Sequence, residues 1–254
     1  MQSHRRKVAF LQPLADAAGP VARRSGVTPR DGSTLRPVGI PSSVWFVIAA
    51  VALVAGAALL LADRLGSRGG GRDRRRWAAL HDWEFVETDP VLPGRWRFGT
   101  IHQGGPGIAR NLVAGQVPTP DGPRQGYLFD HEQAGRVSTV LAAVQVAAPL
   151  PAAVELRLPS APLPDDAGLD LLEPVGERYA FVTDADAVRP LLTSRLADAA
   201  DVIGDDVELV WAEDTWVLAT APVGSAPARL QDLLADLAEV AAALEQGVKA
   251  RSDR

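Results

Sequence analysis

The feature that most constrains the fold is an apolar run that contains no charged residue. It extends from Val44 to Ala62 and reads VWFVIAAVALVAGAALLLA. An α-helix over this run rises about 28 Å, close to the ~30 Å hydrocarbon core of a bilayer. Trp45 falls at the interfacial depth where indole rings concentrate, and a buried core helix of this length usually keeps a polar stripe. The run therefore predicts a single transmembrane helix.

A cleaved signal peptide is the alternative interpretation of the same run. Signal peptides carry an apolar core of about 7 to 15 residues behind a short basic leader. Here the run is longer, more than forty residues precede it, and it ends in leucines and Asp63 without a small-residue cleavage site. We therefore expect the segment to remain as an anchor, in contact with the lipid bilayer through Val44–Ala62.

The arginines around the span predict its orientation. The window before the span holds only Arg30 and Arg36, whereas six arginines follow within about fifteen residues: Arg64, Arg68, Arg72, Arg74, Arg75 and Arg76. Cations beside a span resist translocation, so the arginine-rich side stays in the cytoplasm. We predict a single-pass cell-membrane protein with its N-terminus outside and its C-terminal domain in the cytoplasm.

The segments on either side of the span differ in composition. Residues 1–40 show neither helical nor strand periodicity and are predicted to be a disordered tail. A translation start at Val27 or Val38 would leave the short leader expected for this topology. Residues 63–76 (DRLGSRGGGRDRRR) are predicted to be a basic, flexible linker whose arginines lie on anionic headgroups. A soluble domain is expected at 77–248 and a C-terminal tail at 249–254.

Charge divides the chain in two. Residues 1–76 carry 13 basic and four acidic side chains, whereas residues 77–254 carry 13 basic and 27 acidic ones, a net charge of −14. A surface this acidic argues against nucleic acid as a partner, because phosphate binding needs clustered cations. We expect the domain to stand off the anionic leaflet and to face a cytoplasmic protein partner. The absence of cysteine excludes disulfides, thiolate metal sites and cysteine nucleophiles.

Residue periodicity predicts the elements of the domain. WAALHDW, residues 77–83, indicates one or two helical turns. Strands are predicted over 108–117, 126–132, 136–146 and 154–158, with a turn over the PTPDGPRQ segment. A further short strand, Tyr179 to Thr183, leads into a helix to Ile203 that Asp184 or Asp186 would cap. VELVWA and TWVLATA form the clearest hairpin, in which Val207, Leu209 and Trp211 share one face and Trp216 and Leu218 pair with them from the other strand.

The final helix is predicted from Ala226 to about Val248. Its apolar residues step by four and three, which suits either core packing or a short coiled coil that makes a homo-oligomer through the C-terminal helix: Leu230, Leu234, Leu237, Ala241, Leu244 and Val248. The element order predicts an α+β fold in which an antiparallel sheet carries two packed helices, preceded by the transmembrane helix.

No catalytic, cofactor or metal site is predicted. IHQGGPGIARN, residues 101–111, has neither the lysine of a phosphate loop nor the spacing of a dinucleotide loop. In FDHE, Asp130 and Glu132 face one side of a strand and His131 the other. No second histidine lies at the spacing of a zinc site, so solvated strand residues are the simpler explanation.

These segments together resemble a family of actinobacterial single-pass membrane proteins of uncharacterised activity. The similarity is in a helix followed by a tryptophan-centred strand (WAALHDWEFVETDP), NLVAGQV, YLFD, the run APLPAAVELRLP, and the hairpin LVWAEDTWVLAT before the last helix. It covers Val44 to the C-terminus. The resemblance implies an architecture and attaches no activity to it.

Two functional classes follow from the sequence. The lack of a catalytic constellation beside a strong anchor favours a cytoplasmic binding or scaffolding module. The alternative is an enzyme that uses dispersed carboxylates, for which Asp130 and Glu132 are the nominees.

Overall fold

A computed structural model describes the following residues: 48–49, 51–54, 56, 71–119, 121–164 and 168–252. The chain divides into two units, Met1–Val51 and Ala52–Arg254. The described residues of the first unit, 48–49 and 51, are helical. The second unit contains all the strands and helices discussed below.

Nine strands and five helices lie within the described residues 71–119, 121–164 and 168–252 of the second unit. The strands are β1 (Glu84–Asp89), β2 (Ile108–Val117), β3 (Arg124–Gln133), β4 (Arg136–Gln145), β5 (Val154–Arg157), β6 (Asp170–Leu171), β7 (Tyr179–Val182), β8 (Leu209–Glu213) and β9 (Trp216–Ala221). The helices are α1 (71–80), α2 (Thr100–Gly104), α3 (Ala185–Val188), α4 (Ser194–Val202) and α5 (Pro227–Ser252), with 3-10 turns at Leu92–Arg95 and Arg189–Leu191.

The strands form one sheet in the order β1-β2-β3-β4-β9-β8-β5-β7-β6, and every neighbouring pair is antiparallel. The predicted α+β class with an antiparallel sheet is therefore confirmed. The predicted hairpin is β8–β9, in which Trp211 pairs with Leu218 and Glu213 with Trp216. β9 lies beside β4, so the last hairpin joins the first four strands to the rest of the sheet.

Helices cover one side of the sheet, which we call the helix face. Residues of α1, α4 and α5 pack there with inward-facing residues of the strands, including Val140, Val144, Val210 and Val217. The sequence predicts two helices packed on the sheet, and the structure has one more, because α1 adds Trp77 and Ala78 to this core. The apolar stripe of α5 is buried here as well, with Leu233 and Leu237 fully buried. The core-packing alternative for α5 is therefore correct, and the stripe is not available for a coiled-coil homo-oligomer.

The opposite side, the aromatic face, is covered by the segment 90–107. Trp96 stacks on Phe129 with 5.9 Å between ring centroids and meets Trp216 edge-on at 5.8 Å. Leu209, Trp211, Trp216 and Leu218 all belong to this second cluster, as the alternation of the hairpin predicts. The prediction is wrong for Val207, which packs in the core of the helix face because it precedes β8 and so lies outside the alternation of the strand.

Two buried glutamates fasten the covering segment to the aromatic face. The Glu213 carboxylate accepts hydrogen bonds from the backbone N–H groups of Arg97 and Phe98 and from the Trp211 indole. Glu155 accepts one from the Gly99 N–H at 2.6 Å and pairs with Arg157 at 2.6 Å. Gly99 has a positive φ of 65° and lies against the Trp211 ring, so a side chain would not fit at this position.

The helix predicted to run to Ile203 is interrupted. Asp184 caps α3, as predicted, by accepting a hydrogen bond from the Ala187 N–H at 3.0 Å. After the 3-10 turn that contains Pro190, the chain leaves the helical conformation at Leu192 and starts again at α4. Thr193 caps α4 by accepting from the Leu196 N–H at 3.2 Å. The predicted single helix is wrong because the threonine supplies a second N-cap inside it.

Part of the predicted linker is ordered helix. Residues 71–76 lie in α1, and Arg74 is buried. Gly71, Arg74 and Trp77 follow one another at threefold spacing, which places them along one side of the helix. At the other end of the chain, α5 continues to Ser252, past the residue 248 at which the domain was expected to end.

The tail 1–40 lies outside the described residues, as does most of the predicted span. Within Val44–Ala62, residues 48–49, 51–54 and 56 are described, and they are helical. No helix in the described part of the chain combines the length and the apolar character that a membrane crossing requires.

Candidate functional site

A polar cleft of about 660 Å³ opens on the helix face beside residues 71–75 of α1. Its walls come from α1, from strands β1, β2 and β3, from the turn between β3 and β4 and the first residues of β4, and from Val223. Four arginines line it: Arg72, Arg75, Arg110 and Arg136. Three carboxylates line it as well: Glu87, Asp130 and Glu132. We call this site the arginine cleft.

A β-bulge in β2 supplies two adjacent residues to the arginine cleft. Ala109 and Leu112 both pack on the aromatic face, whereas Arg110 and Asn111 both line the cleft on the other side. The register between β2 and β3 shifts between Arg110 and Val113, and Asn111 has a positive φ of 48°. A bulge changes the alternation of a strand in this way and redirects side chains towards a site.

Gly71 sets how closely α1 approaches that bulge. A Cβ atom on Gly71 would lie 2.5 Å from the Asn111 Oδ1 atom, which is closer than real contacts allow. The glycine therefore lets this part of α1 rest on the Asn111 side chain. Arg72 and Arg75, which follow Gly71 in α1, line the cleft beside this contact.

The floor of the cleft is an ion pair. The Arg74 guanidinium donates to the Asp130 carboxylate at 2.7 Å, and the two side chains are 8% and 15% exposed. The Asn111 amide donates to the other Asp130 oxygen at 2.7 Å. Asp130 thus holds α1 and β2 together from β3. The linker prediction placed Arg74 on the lipid headgroups, whereas the structure buries it against Asp130. Its helical spacing from Gly71 and Trp77 is the sequence signal that could have indicated this burial.

Glu132 is engaged in a second ion pair, with Arg110. The distance from the Arg110 Nε atom to the carboxylate is 2.9 Å, and the guanidinium also donates to the Thr88 hydroxyl at 2.9 Å. Both carboxylates nominated for an enzyme therefore face the same cleft, as their spacing predicted, and each is paired with an arginine.

His131 lies on the aromatic face, opposite its two acidic neighbours. It is fully buried, and its ring Nε2 atom lies 2.9 Å from the Pro106 carbonyl oxygen, to which the Nε2–H tautomer donates. The Nδ1 atom is buried without a hydrogen-bond partner in the described part of the protein. Burial lowers the pKa of His131 below its ordinary value, while the bond to Pro106 acts in the opposite sense. The imidazole therefore favours its neutral form.

The described residues do not bring three His, Cys, Asp or Glu side chains together at metal-binding distance. Of the three carboxylates that line the arginine cleft, Asp130 and Glu132 are paired with guanidinium groups, which favour the ionised form of a carboxylate over the protonated form that a general acid needs. The chemistry that the cleft offers is charge-assisted hydrogen bonding by arginine.

Three of the cleft arginines make no ion pair with another described residue: Arg72, Arg75 and Arg136. All three are exposed. The Arg75 guanidinium lies 4.9 Å from the centre of the Phe85 ring, a cation–π contact that fixes its position without neutralising its charge. The cleft therefore has positive charge in excess, within a domain whose net charge is strongly negative.

A second, more apolar groove of about 260 Å³ lies further along α1. Trp77 stacks on His81 at 4.5 Å and meets Trp83 edge-on at 5.2 Å between ring centroids. Leu234 of α5 and Val117 of β2 complete the groove. The Trp77 and Trp83 rings also pack on the core of the helix face, so this cluster serves to dock α1.

Comparison with known proteins identifies relatives over most of the chain. A family model described as trehalose monomycolate transport factor TtfA matches residues 41–243. Trehalose monomycolate transport factor A of Mycolicibacterium smegmatis is 31% identical over 182 residues, which are 72% of this chain and 63% of the relative. The chain therefore spans somewhat less than two thirds of that relative's length.

A solved structure shows the same architecture. The crystal structure of the mycobacterial trehalose monomycolate transport factor A superposes with a TM-score of 0.62 at 28% identity, and covers 70% of this chain and 95% of that one. The family suggested by the sequence motifs is corrected by these matches. It is a defined family with a named role in transport, not one of uncharacterised activity.

Proposed function

The chain belongs to the trehalose monomycolate transport factor TtfA family, and we propose that it acts as a membrane-anchored factor in the transport of a trehalose glycolipid. The extent of the family match carries this proposal. The match begins at residue 41, just before the predicted span, and ends at residue 243 within α5. It includes both the apolar run and the α+β domain, which supports a factor whose anchor and domain act as one unit.

Binding, not catalysis, is the role that we assign to the domain. Asp130 and Glu132, the carboxylates that an enzyme would use, are held by Arg74 and Arg110. We place the domain on the cytoplasmic side, where it would bind a protein of the transport machinery. The arginines that follow the span support this side. The apolar side chains of Ile48, Val51 and Leu53, in the helical part of the predicted span, are exposed, which supports contact of the span with lipid.

Complementation tests the transport role. The M. smegmatis relative would be depleted, and this full chain would be expressed in its place. We expect the envelope distribution of trehalose monomycolate, measured by thin-layer chromatography of cell fractions, to return to that of undepleted cells. A variant that lacks residues 44–62 is the control and should not restore it. Failure of the full chain at matched expression would contradict the proposal.

Cysteine labelling tests the orientation, because the chain has no cysteine and so gives no background. Val202, at the end of α4, is 72% exposed and suits a Val202→Cys reporter. In spheroplasts, a membrane-impermeant maleimide should label this cysteine only after lysis. Labelling of intact spheroplasts would place the domain outside the cytoplasm and overturn the assigned side.

A further inference from the structure

The excess positive charge of the arginine cleft is available to an anionic ligand. An arginine is always protonated at physiological pH, so Arg72, Arg75 and Arg136 stay charged whatever their surroundings. They converge on one concavity from two different elements, α1 and the first residue of β4. Like charges held together in a concavity repel one another, and an anion bound between them removes that repulsion.

The donor set indicates which anion fits. Guanidinium groups present planar pairs of N–H donors that match the oxygens of a phosphate group. Arg75 is already oriented by the Phe85 ring, and Gly71 lets α1 pack closely against Asn111. Arg75 therefore loses less side-chain freedom on binding than an unrestrained arginine, which favours affinity.

The shape and lining indicate a headgroup and not an acyl chain. The cleft is wide enough for a polar headgroup, and most of its lining side chains are charged or polar. Apolar ligand pockets are instead lined mainly by aliphatic and aromatic side chains. Within this cleft Phe85, Val137 and Val223 are the apolar side chains.

The position of the cleft along the chain brings it to a membrane surface. Gly71 follows the end of the predicted span, Ala62, by nine residues. Nine residues reach at most about 32 Å when fully extended, so Gly71, at the edge of the cleft, lies within that distance of the end of the span. In the flexible linker predicted from the sequence, Arg72 and Arg75 would contact the anionic headgroups as separate charges. The structure instead joins them to Arg136, which is more than sixty residues away in the sequence.

We propose that the arginine cleft binds the phosphate of an anionic phospholipid headgroup from the leaflet in which the chain is anchored. This proposal rests on the anchoring given under the proposed function, and it is independent of the transported glycolipid. Bound there, the headgroup would hold the start of α1, and with it the domain, in one orientation on the membrane. Free phosphate carries the same chemistry, so the test must separate the two sources.

The test uses the full chain in phosphatidylcholine nanodiscs. Dihexanoyl-phosphatidylglycerol, below its micelle concentration, would be titrated into the sample and its binding measured by calorimetry. Parallel titrations would use dihexanoyl-phosphatidylcholine, inorganic phosphate and free trehalose. We expect saturable, salt-sensitive binding of the phosphatidylglycerol, weaker binding of inorganic phosphate and of phosphatidylcholine, whose choline cation offsets the charge of its phosphate, and no binding of trehalose.

Variants assign the binding to the cleft. Each arginine near a membrane surface contributes about fivefold to the affinity for an anionic lipid, so Arg72→Gln with Arg136→Gln should weaken binding about 25-fold. Arg95→Gln with Arg97→Gln is the matched control. Both of these arginines are exposed, they lie on the segment that covers the aromatic face, and their removal changes the net charge equally. The control should change affinity less than twofold.

Three results would overturn the proposal: equal weakening by both double variants, binding of phosphatidylglycerol no tighter than of phosphatidylcholine or inorganic phosphate, or binding of trehalose alone. Circular dichroism confirms that each variant is folded. The assay uses purified protein, so its outcome is separate from the complementation experiment. A chain that restores transport but does not bind the phospholipid would retain the proposed function and lose this site.

Discussion

The two faces of the sheet treat charged side chains differently. On the aromatic face, the Glu155 and Glu213 carboxylates are buried and form hydrogen bonds or ion pairs within the protein. Glu213 accepts from backbone N–H groups and the Trp211 indole, and Glu155 accepts from a backbone N–H and pairs with Arg157. In the arginine cleft, the Arg74–Asp130 pair at the floor is closed in the same way and Arg110 is paired with Glu132, but Arg72, Arg75 and Arg136 have no acidic partner in the described chain. Charges that are satisfied internally hold a fold together, and charges left over beside a concavity are available to a ligand.

The two faces meet in the sequence at FDHE, residues 129–132. Phe129 and His131 pack on the aromatic face, whereas Asp130 and Glu132 face the cleft. Neighbouring residues of one strand therefore contribute to a closed interior and to an open site. We therefore expect substitutions of buried charges on the aromatic face to change stability strongly, and substitutions of the exposed arginines of the cleft to change it little.

The largest effect is expected at Glu155. Glu155→Ala would leave the Arg157 guanidinium buried without its carboxylate and would free the Gly99 N–H. Removing one partner of a buried ion pair costs about 3–5 kcal/mol, and we expect a loss of this size in the free energy of unfolding. Urea denaturation of the full chain in detergent micelles, followed by circular dichroism, measures it.

Glu84→Gln is the control for Glu155, because Glu84 is an exposed strand residue at the edge of the same sheet. It should change the free energy of unfolding by less than about 0.5 kcal/mol. A loss below about 1 kcal/mol in Glu155→Ala would show that the buried carboxylate does not fasten the segment 90–107 to the sheet.

A smaller effect is expected at the floor of the cleft. Arg74→Met should lower the free energy of unfolding by about 2–3 kcal/mol, because it leaves the Asp130 carboxylate with only the Asn111 amide as a donor. The loss is smaller than at Glu155 because the Arg74–Asp130 pair is slightly exposed. Adding Asp130→Asn should cost less than the sum of the single variants by about 1–2 kcal/mol, which a double-mutant cycle in urea would measure. Strict additivity would mean that the pair does not couple α1 to β3.

How far these features follow from the sequence depends on the range of the interactions. The β8–β9 hairpin was predicted with its face and pairing because alternation and a short turn determine both locally. The apolar stripe of α5 was predicted because steps of three and four residues also determine locally which side of a helix is apolar. The break at Thr193 was missed because a threonine inside an apolar periodicity does not by itself reveal a cap. Arg74 was missed because its partner, Asp130, is 56 residues away.

The cleft itself could be predicted only in part. The spacing of Asp130 and Glu132 placed both on one side of a strand, which the structure confirms. The bulge at Asn111 and the approach of α1 depend on tertiary packing, and without them Arg72, Arg110 and Arg136 are scattered cations in the sequence. An arginine cluster built from distant segments has no local signal.

The pH dependence of stability probes the closed face. The pKa of His131 is lowered in the folded protein, so the unfolded chain takes up the proton first. The stability that the neutral imidazole provides is complete above its ordinary pKa of 6.5 and is lost as the pH falls below it. We expect a loss of up to about 1.4 kcal/mol per pH unit in that range, on the unfolding free energy.

His131→Gln should remove this part of the slope, and His81→Gln is the control because His81 is exposed. Urea denaturation at pH 7.5, 6.5 and 5.5 compares the three proteins. An identical slope in the wild type and in His131→Gln would show that His131 does not titrate on unfolding.

The smallest effect is expected at the open arginines, and it is the one that most sharply separates the two regions. Arg72→Gln and Arg136→Gln should each change the free energy of unfolding by no more than about 0.5 kcal/mol, because both side chains are exposed and neither has an acidic partner in the described chain. Losing positive charge beside Arg75 and Arg110 also relieves repulsion, so a slight gain in stability is the expected direction. Urea denaturation in phosphatidylcholine nanodiscs, where the anionic lipid is absent, measures this without a ligand. A loss above about 1 kcal/mol in either variant would mean that the arginine is part of the closed interior, and the distinction between the floor of the cleft and its walls would fail.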